Sequence, residues 1–445
     1  MNDQLRNKEK INEDQSQQIA SLEETNKKLS QLTELQKEQL REKDITIQIL
    51  QDEFSALQLE INTTQERNEQ LQKENQQLIQ RWMEKMNQEA EKMNEATLFY
   101  ESALQHAHKK KPIKSLFKSS SESSNFRPST VVLPNQPYKT LSSTHDNDVY
   151  CIQASNTGKY FATGGEDRKI KLYDAYKVNN VTSYTGALQS ITCIDFNKTD
   201  DYLVASSTDN SSRIWNLSTK RIVHTLTGHI SKVYASRFTD DSQKVISASH
   251  DRTLKVWDLN KGYCTKTIFT FSSCNDVALM DPEGYTLISG HLDASLRIWD
   301  AKSGNGIKDL NGIHTDQITS TSLSPDGNAI LTNSRDNTLN MVDIRMYKVL
   351  QTFKANTYQN GLNWSRACFS PDGCYVAAGS KDGTIHIWNT RNNQLERTLK
   401  GEHKSVICGV TWNPLGTEFY SIDKSSKTVC IWDTSIDQKS LTSFS

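Results

Sequence analysis

The sequence predicts an all-β, seven-bladed β-propeller that follows a long α-helical parallel coiled coil. Three observations support this fold class. Residues 1–111 contain neither Gly nor Pro and repeat apolar residues every seven positions, a Ser-, Lys- and Pro-rich segment follows, and a strand pattern then recurs seven times. The absence of Gly and Pro from residues 1–111 favours helix. The seven-fold recurrence of the strand pattern is typical of propeller blades. We therefore expect a dimerising coiled coil at 1–111, a disordered linker at 112–137 and a propeller at 138–445.

The helical region carries a heptad whose a and d positions form a predicted dimer seam. Apolar residues that repeat every seven positions under-wind helices into a left-handed supercoil. Asn at an a position weakens such a seam but pairs best with its own copy in a parallel, in-register dimer. We expect a parallel homodimer rather than a single solvated helix. The seam consists of Ile19, Leu22, Asn26, Leu29, Leu40, Ile47, Leu50, Phe54, Leu57, Ile61, Asn68, Leu71, Asn75, Leu78 and Trp82.

A basic, partly apolar segment spans the end of the helical region and the start of the linker. Pro112 ends the helix pattern because proline cannot donate its backbone N–H. A segment of this composition can lie on an anionic membrane surface, although a solvated helix end has the same composition. The candidate residues for peripheral membrane contact are Lys109, Lys110, Lys111, Lys114 and Phe117.

The propeller is predicted from a strand end that recurs as Trp-Asp or a variant of it. The aromatic position holds Tyr173, Trp215, Trp257, Trp299, Val342, Trp388 and Trp432, at steps of 42, 42, 42, 43, 46 and 44 residues. Six of the seven repeats place an Asp six residues earlier, and Ser426 takes the seventh place. These features are typical of WD40-type blades, each made of four strands. A strand at Tyr138–Ser143 is expected to complete the last blade and so close the ring.

A group of residues in the third repeat imitates a hydrolase triad. His229, Ser247 and Asp251 have suitable chemistry, but equivalent residues recur in other repeats, as with His145 and Thr163 in the first. A catalytic triad would not be copied around a ring. We therefore interpret His229, Ser247, Asp251 and Trp257 as a structural tetrad of buried hydrogen bonds. We expect the third blade alone to have the full set with Trp and to be the most rigid.

Composition and motifs exclude several classes of function. Lys and Arg total 52 and Asp and Glu total 53, so net charge does not indicate nucleic-acid binding. The sequence offers no catalytic, metal-binding or cofactor-binding motif, no apolar span and no export signal. The eight cysteines form no C-x-x-C pair and are expected to be reduced. Cys151 and Cys193 share a repeat position with Ala235, Ser320 and Gly409, which indicates selection for small size.

Specific segments in both parts of the chain resemble the metazoan-type autophagy-related protein 16 family. The segments are Leu50–Leu57, Arg81-Trp82-Met83, Ala162–Arg168, Ser249–Asp258, Ser272-Ser273-Cys274-Asn275-Asp276 and Asn363-Trp364-Ser365-Arg366. They occur in the family's order and fall within residues 45–105 and 140–433. The pairing of Arg-Trp-Met with Ser-Ser-Cys-Asn-Asp is far more specific than the WD positions.

The resemblance implies a non-enzymatic scaffold that dimerises and recruits the conjugate of autophagy proteins 12 and 5. It would act in the cytoplasm, peripherally at phagophore membranes, where a ubiquitin-like protein is attached to lipid. Rab-type GTPases and phosphoinositide-binding propellers are implied partners of the coiled coil. Phe269 matches a propeller Phe that the family uses for membrane targeting, while Ser295 stands where its paired Lys would be. The alternative is a coiled-coil WD adaptor in vesicle or ciliary transport or in a ubiquitin ligase.

Overall fold

The computed structural model describes residues 2–107 and 131–433 of the chain. The chain divides into two compact units, Met1–Glu84 and Lys85–Ser445. One helix, α1, runs over Asn2–Ala107. Its length follows from the absence of Gly and Pro, since no residue removes a backbone donor or favours a break. Pairs such as Glu24 and Lys28, with 2.9 Å between carboxylate and ammonium, add weak local support on the helix surface.

The first four blades each consist of four antiparallel strands in chain order. Blade one contains β2 Val149–Ala154, β3 Tyr160–Gly165, β4 Ile170–Asp174 and β5 Asn179–Tyr184. Blade two contains β6 Ile191–Phe196, β7 Tyr202–Ser207, β8 Ser211–Asn216 and β9 Ile222–Thr227. Blade three contains β10 Val233–Phe238, β11 Lys244–Ser249, β12 Thr253–Asp258 and β13 Tyr263–Phe269. Blade four contains β14 Cys274–Leu279, β15 Thr286–His291, β16 Leu296–Asp300 and β17 Gly306–Leu310.

The last three blades complete the ring. Blade five contains β18 Ile318–Leu323, β19 Ala329–Ser334, β20 Leu339–Asp343 and β21 Lys348–Phe353. Blade six contains β22 Ala367–Phe369, β23 Tyr375–Gly379, β24 Ile385–Asn389 and β25 Leu395–Leu399. Blade seven contains β26 Ile407–Trp412, β27 Glu418–Asp423 and β28 Val429–Asp433, with β1 Pro137–Leu141 as its outer strand. The first strand of each blade contacts that of the next, and β2 contacts β26, so the ring is closed. The predicted seven-bladed propeller is confirmed.

The closing strand comes from the start of the propeller, as predicted. It begins one residue and ends two residues earlier than the expected Tyr138–Ser143. β1 pairs antiparallel with β28, placing Thr140 opposite Cys430 and Leu141 opposite Val429. The strand ends at Leu141 rather than at Ser143, because Ser143 has a φ of 54°, which is incompatible with extended backbone. The pairing covers the edge of β28 that would otherwise be open to another chain.

The apolar core lies within and between neighbouring blades. One cluster joins Ile170 of blade one to Ile191 and Trp215 of blade two, and equivalent clusters recur around the ring. At three of the blade junctions, the first residue of one inner strand packs against a glycine of the preceding blade. A Cβ on Gly379 would lie 2.2 Å from Cγ2 of Ile407, so this contact requires glycine.

Residues 131–136 pack against the propeller, although the sequence places them in the disordered linker 112–137. Val131 is buried, its N–H donates to Asp372 at 3.1 Å, and Arg397 donates to the carbonyl oxygens of Leu133 and Pro134. Apolar burial and three hydrogen bonds offset the entropy lost when this stretch is ordered. The composition of the linker does not reveal that a few apolar residues at its end have a site on the sixth blade.

Candidate functional site

The tetrad of blade three forms one continuous hydrogen-bond relay. The Asp251 carboxylate lies 2.8 Å from Nδ1 of His229, whose Nε2 is 2.7 Å from Oγ of Ser247. The Trp257 indole N–H donates to the same Oγ at 2.8 Å. Asp251 also accepts from the backbone N–H groups of Ile230 and Thr253, which holds the turn between β11 and β12. The relay therefore connects the loop before β10 with two neighbouring strands.

The electrostatics of this relay favour a neutral imidazole next to an ionised carboxylate. Burial lowers the pKa of His229, and the bond to Asp251 opposes that shift only in part. Burial raises the pKa of Asp251, but hydrogen bonds from His229, from Thr253 and from the backbone N–H of Ile230 outweigh it and hold that pKa at about 2. Nδ1–H then donates to Asp251, and Nε2 accepts from the Ser247 hydroxyl. Every polar atom of the relay has a partner, which a buried group requires.

Ser247 cannot present its hydroxyl as a nucleophile in this arrangement. Its side chain is fully buried, and the exposed fraction of His229 is 7%. The hydroxyl oxygen already accepts from Trp257 while it donates to His229. A catalytic serine needs room for a substrate carbonyl beside its oxygen, and the indole occupies that side.

The relay is repeated in blades one and five with different final members. In blade one, His145 lies 2.9 Å from Asp167 and 2.8 Å from Thr163, and Tyr173 replaces Trp. In blade five, His314 makes the same contacts to Asp336 and Thr332, and Val342 stands at the Trp position.

Blade seven comes closest to the relay of blade three. His403 Nε2 is 2.7 Å from Oγ of Ser421, and the Trp432 indole donates to that oxygen at 2.8 Å. Asp423, at the end of β27, supplies the carboxylate at 3.4 Å from Nδ1 of His403. The repeat spacing points instead to Ser426, three residues later, at the turn position where the other six repeats have Asp. Neither Nδ1 of His403 nor Oδ2 of Asp423 makes a hydrogen bond, however. Among the described residues, the complete hydrogen-bonded relay with Trp is therefore that of blade three.

The predicted dimer seam lies on exposed helix surface. Among the seam residues whose side chains are described, Trp82 is partly buried and the others are exposed. Leu50 and Leu57 each leave more than half of their side-chain surface open to solvent, and so does Phe54. An apolar stripe of this length is far larger than the scattered apolar residues of an ordinary surface. The exposure fits the predicted seam, and the parallel dimer stays a prediction.

Phe269 lies at the end of β13 and is buried. Its exposed fraction is 7%, and its ring packs edge-on against Phe271 with centroids 5.3 Å apart. Ser295 is also buried and donates to the backbone carbonyl of Asp293. Phe269 therefore contributes to packing and offers little surface to a partner. The proposed membrane contact at Lys109, Lys110, Lys111, Lys114 and Phe117 lies outside the described residues.

The sequence missed a network of charges in the central channel. The ring of small residues at Cys151 and Cys193 is completed by Asp276 and Arg366, which belong to blades four and six. Arg366 Nη1 donates to both carboxylate oxygens of Asp276 at 3.0 Å, across the intervening fifth blade. The sequence does contain a sign of this pair, because Asp276 and Arg366 are the two charged residues at a repeat position that otherwise holds small residues.

A second pair of charges lies two residues further along the inner strands. Arg237 of β10 approaches Asp195 of β6 at 3.8 Å and Asp276 at 3.6 Å. Asp195 accepts from the N–H of Phe238 at 2.9 Å, and Asp276 accepts from that of Thr321 at 2.9 Å. The network thus joins five consecutive blades through largely buried charges, each within 4 Å of an opposite charge.

The described part of the chain shows neither a metal site nor a membrane span. In residues 2–107 and 131–433, no group of three or more His, Cys, Asp or Glu side chains is placed to hold a metal ion. No helix in the same ranges is long and apolar enough to cross a membrane.

Comparison with known proteins separates the chain into the same two parts. A family model described as autophagy protein 16 matches residues 1–94. A model described as WD domain, G-beta repeat matches seven segments, which are 135–174, 179–216, 220–258, 262–300, 309–343, 347–389 and 393–433. Proteins of these two families are typically non-catalytic scaffolds.

Three relatives show similarity over part of the chain. Protein tipD of Dictyostelium discoideum is 39% identical over 127 residues, which cover 28% of this chain and 21% of the relative. Protein Atg16l2 of Homo sapiens is 34% identical over 116 residues, 26% of this chain and 19% of the relative. Autophagy-related protein 16 of Arabidopsis thaliana is 34% identical over 119 residues, which cover 27% of this chain and 23% of the relative. The aligned part spans about a fifth of the length of these relatives.

Proposed function

Because the chain belongs to the autophagy protein 16 family, we propose that it is a non-enzymatic scaffold which positions the autophagy conjugation machinery. In this role it dimerises and recruits the conjugate of autophagy proteins 12 and 5 to the phagophore membrane. There it directs the attachment of a ubiquitin-like protein to lipid during autophagosome assembly. It acts in the cytoplasm and contacts the membrane peripherally.

The observation that carries the proposal is the coincidence of the family match with the exposed apolar stripe. The autophagy protein 16 match covers residues 1–94, and the stripe from Ile19 to Leu78 lies inside it. An isolated helix with such a stripe gains stability by covering it with a second helix. A homodimer supplies that helix. The remaining surface of the coiled coil is then available to a Rab-type GTPase or a phosphoinositide-binding propeller.

The propeller supports a binding role rather than a catalytic one. The constellation closest to an active site, around Ser247, is buried and fully hydrogen-bonded. The same bonding recurs at Thr163 and Ser421 in other blades, where it braces strands. A rigid ring of this kind presents loops on two faces and can hold several partners at once.

Affinity purification of the tagged full chain from starved and fed cells tests the proposal. We expect the conjugate of proteins 12 and 5 to be recovered with the wild-type chain. Recovery should be lost when residues 2–45 are replaced by an unrelated dimeric coiled coil of equal length. This replacement preserves dimerisation and so isolates partner recognition. Absence of the conjugate under both conditions, with other stable partners present, would contradict the proposal.

Failure to recover the conjugate would favour a coiled-coil WD adaptor in vesicle or ciliary transport or in a ubiquitin ligase. One feature supports this alternative. Residues 1–18 contain only Leu5 and Ile11 as large aliphatic residues and no aromatic residue, which is little apolar surface for gripping a conjugate.

A further inference from the structure

A cavity of about 280 Å³ lies in the central channel and is lined by all seven inner strands. Its lining includes the polar residues Arg237, Asp195 and Thr321 and the partly exposed apolar residues Leu279 and Leu323. The space has room for several water molecules. It is large enough for a short organic molecule or for one side chain of a partner.

Arg237 is the charged group whose hydrogen-bonding capacity the propeller leaves least satisfied at this cavity. Its Nη1 donates to the sulfur of Cys193 at 3.5 Å, a weak acceptor. The carboxylate oxygens of Asp276 and Asp195 lie at 3.6 and 3.8 Å, beyond normal hydrogen-bond distance. A guanidinium carries five N–H donors, and the side chain is only 18% exposed. The fork is therefore largely desolvated and has donors left for a further acceptor.

The charge balance limits which anion fits. Two guanidinium groups, on Arg237 and Arg366, face two carboxylates, on Asp195 and Asp276, so the fixed charges sum to zero. An added monoanion leaves one net negative charge among these groups. A phosphate dianion leaves two and would be repelled more strongly by Asp276, which lies beside the same guanidinium.

We propose that the channel cavity binds a carboxylate group attached to a short apolar chain. The carboxylate pairs with the planar fork of Arg237, a geometry that favours bidentate contacts. The apolar chain lies against Leu279 and Leu323. Two sources have this chemistry: a free short-chain acid and an acidic side chain of a bound peptide. The site is independent of conjugate recruitment by the coiled coil.

Saturation-transfer NMR on the full chain distinguishes these sources. The free-acid arm uses hexanoate, with hexanamide as a neutral control and inorganic phosphate as a dianion control. The peptide arm uses acetyl-Gly-Leu-Glu-Gly-amide against its Gln counterpart. We expect saturable transfer from the carboxylate member of at least one pair and none from hexanamide, the Gln peptide or phosphate.

Variants of the cavity locate the signal. Arg237→Gln should weaken binding at least ten-fold, and Arg237→Lys should weaken it less because the charge remains while the fork is lost. Ser322→Leu should block binding by filling the space without removing a charge, since Ser322 lines the same cavity. Arg213→Gln is the matched control, because that Arg is similarly buried but bonds Asp209 within blade two.

Each outcome decides the proposal. If Arg237→Gln fails to fold, the Ser322→Leu variant carries the test in its place. Carboxylate binding that is lost in a folded cavity variant and kept in Arg213→Gln supports the site. Equal signals from hexanoate and hexanamide would overturn the proposal. So would binding that survives in the folded cavity variants, or no binding by either carboxylate, since the cavity then holds only water.

Discussion

At the scale of single residues, the relays show how a propeller satisfies buried polar atoms. His229, Ser247 and Trp257 each donate or accept in one chain that ends on the Asp251 carboxylate. Removing one member leaves its neighbours buried without partners, which costs more than the hydrogen bond itself contributes. Stability in this part of the molecule therefore depends on complete sets rather than on individual bonds.

Substitution Ser247→Ala should lower the free energy of unfolding by ~1–3 kcal/mol, since two buried donor or acceptor atoms lose their partner. Urea denaturation followed by tryptophan fluorescence measures this change. Ser183→Ala is the control, because Ser183 lies exposed on an outer strand. An ester-hydrolysis assay on the same proteins should show no activity in either. Turnover in the wild type that Ser247→Ala abolished would contradict the structural interpretation.

His291 should make the propeller less stable in acid. Burial lowers its pKa to about 3, whereas an unfolded His titrates near 6.5. The unfolded chain then binds more protons below about pH 6.5, so stability falls progressively as the pH drops from there toward 3. The melting temperature of His291→Gln should therefore depend less on pH over that window than that of the wild type.

His250→Gln is the matched control for that measurement, because the side chain of His250 is exposed. Its melting curve should keep the pH dependence of the wild type. The Asp251 carboxylate acts in a lower window, since its pKa of about 2 makes its contribution fall only below about pH 3.8. An identical pH slope in wild type and His291→Gln would show that burial does not perturb His291 as described.

At the scale of elements, one strand and one helix each have a surface that needs a partner to cover it. Strand β28 would present open N–H and C=O groups without β1, and such an edge recruits other chains. Helix α1 has the corresponding problem in its apolar stripe. The first edge is covered within the chain, and we propose that the second is covered by another copy.

Replacing residues 137–141 by a five-residue Gly-Ser sequence should lower the midpoint of chemical denaturation. The substitution removes the side chain of Leu141 from its packing against the last blade, and glycine raises the entropy lost on pairing. Light scattering should also show aggregation through the exposed edge of β28. The same Gly-Ser sequence placed at residues 119–123 is the control. Unchanged stability in the first variant would show that closure does not depend on β1.

Substitution Leu57→Glu should convert a dimer into a monomer in sedimentation-velocity experiments. Leu57 is a d position of the predicted seam, where two like charges would be forced together in a parallel pair. Leu59→Glu is the control, because Leu59 falls on the outer side of the heptad although it is equally exposed in the single chain. If both variants dissociate, or neither does, the predicted heptad register is wrong.

At the scale of the whole molecule, the two parts divide the work that we propose. The helix carries the family match that links the chain to autophagy, and the seven blades form a rigid platform. The segment between them includes the proposed membrane contact. This arrangement places recruitment, membrane proximity and partner binding in successive parts of one chain.

Changing Lys109, Lys110, Lys111 and Lys114 to Gln should reduce binding of the full chain to anionic vesicles at least ten-fold. Each Lys near such a surface contributes about 1 kcal/mol, and the loss should be smaller at high salt because the attraction is screened. Vesicle flotation measures the binding, with neutral phosphatidylcholine vesicles as the control. Equal flotation of wild type and variant on anionic vesicles would contradict the proposed contact.

The sequence by itself determined the repeating features. Seven repeats of nearly constant length specify seven blades, the heptad indicates the apolar stripe, and the incomplete last repeat predicts a strand that closes the ring. These features are periodic patterns of residue type along the chain, so they can be recognised without knowing which distant residues are in contact.

The tertiary structure alone decided which distant residues meet. Asp423 replaces Ser426 in the seventh relay, Val131 packs on the sixth blade, and Arg366 crosses the channel to Asp276. Each of these contacts joins positions whose proximity depends on the curvature of strands and the closing of the ring. Periodicity specifies the ring, but the charged groups near its axis, such as Arg366 and Asp276, come within hydrogen-bond distance only when the ring has closed.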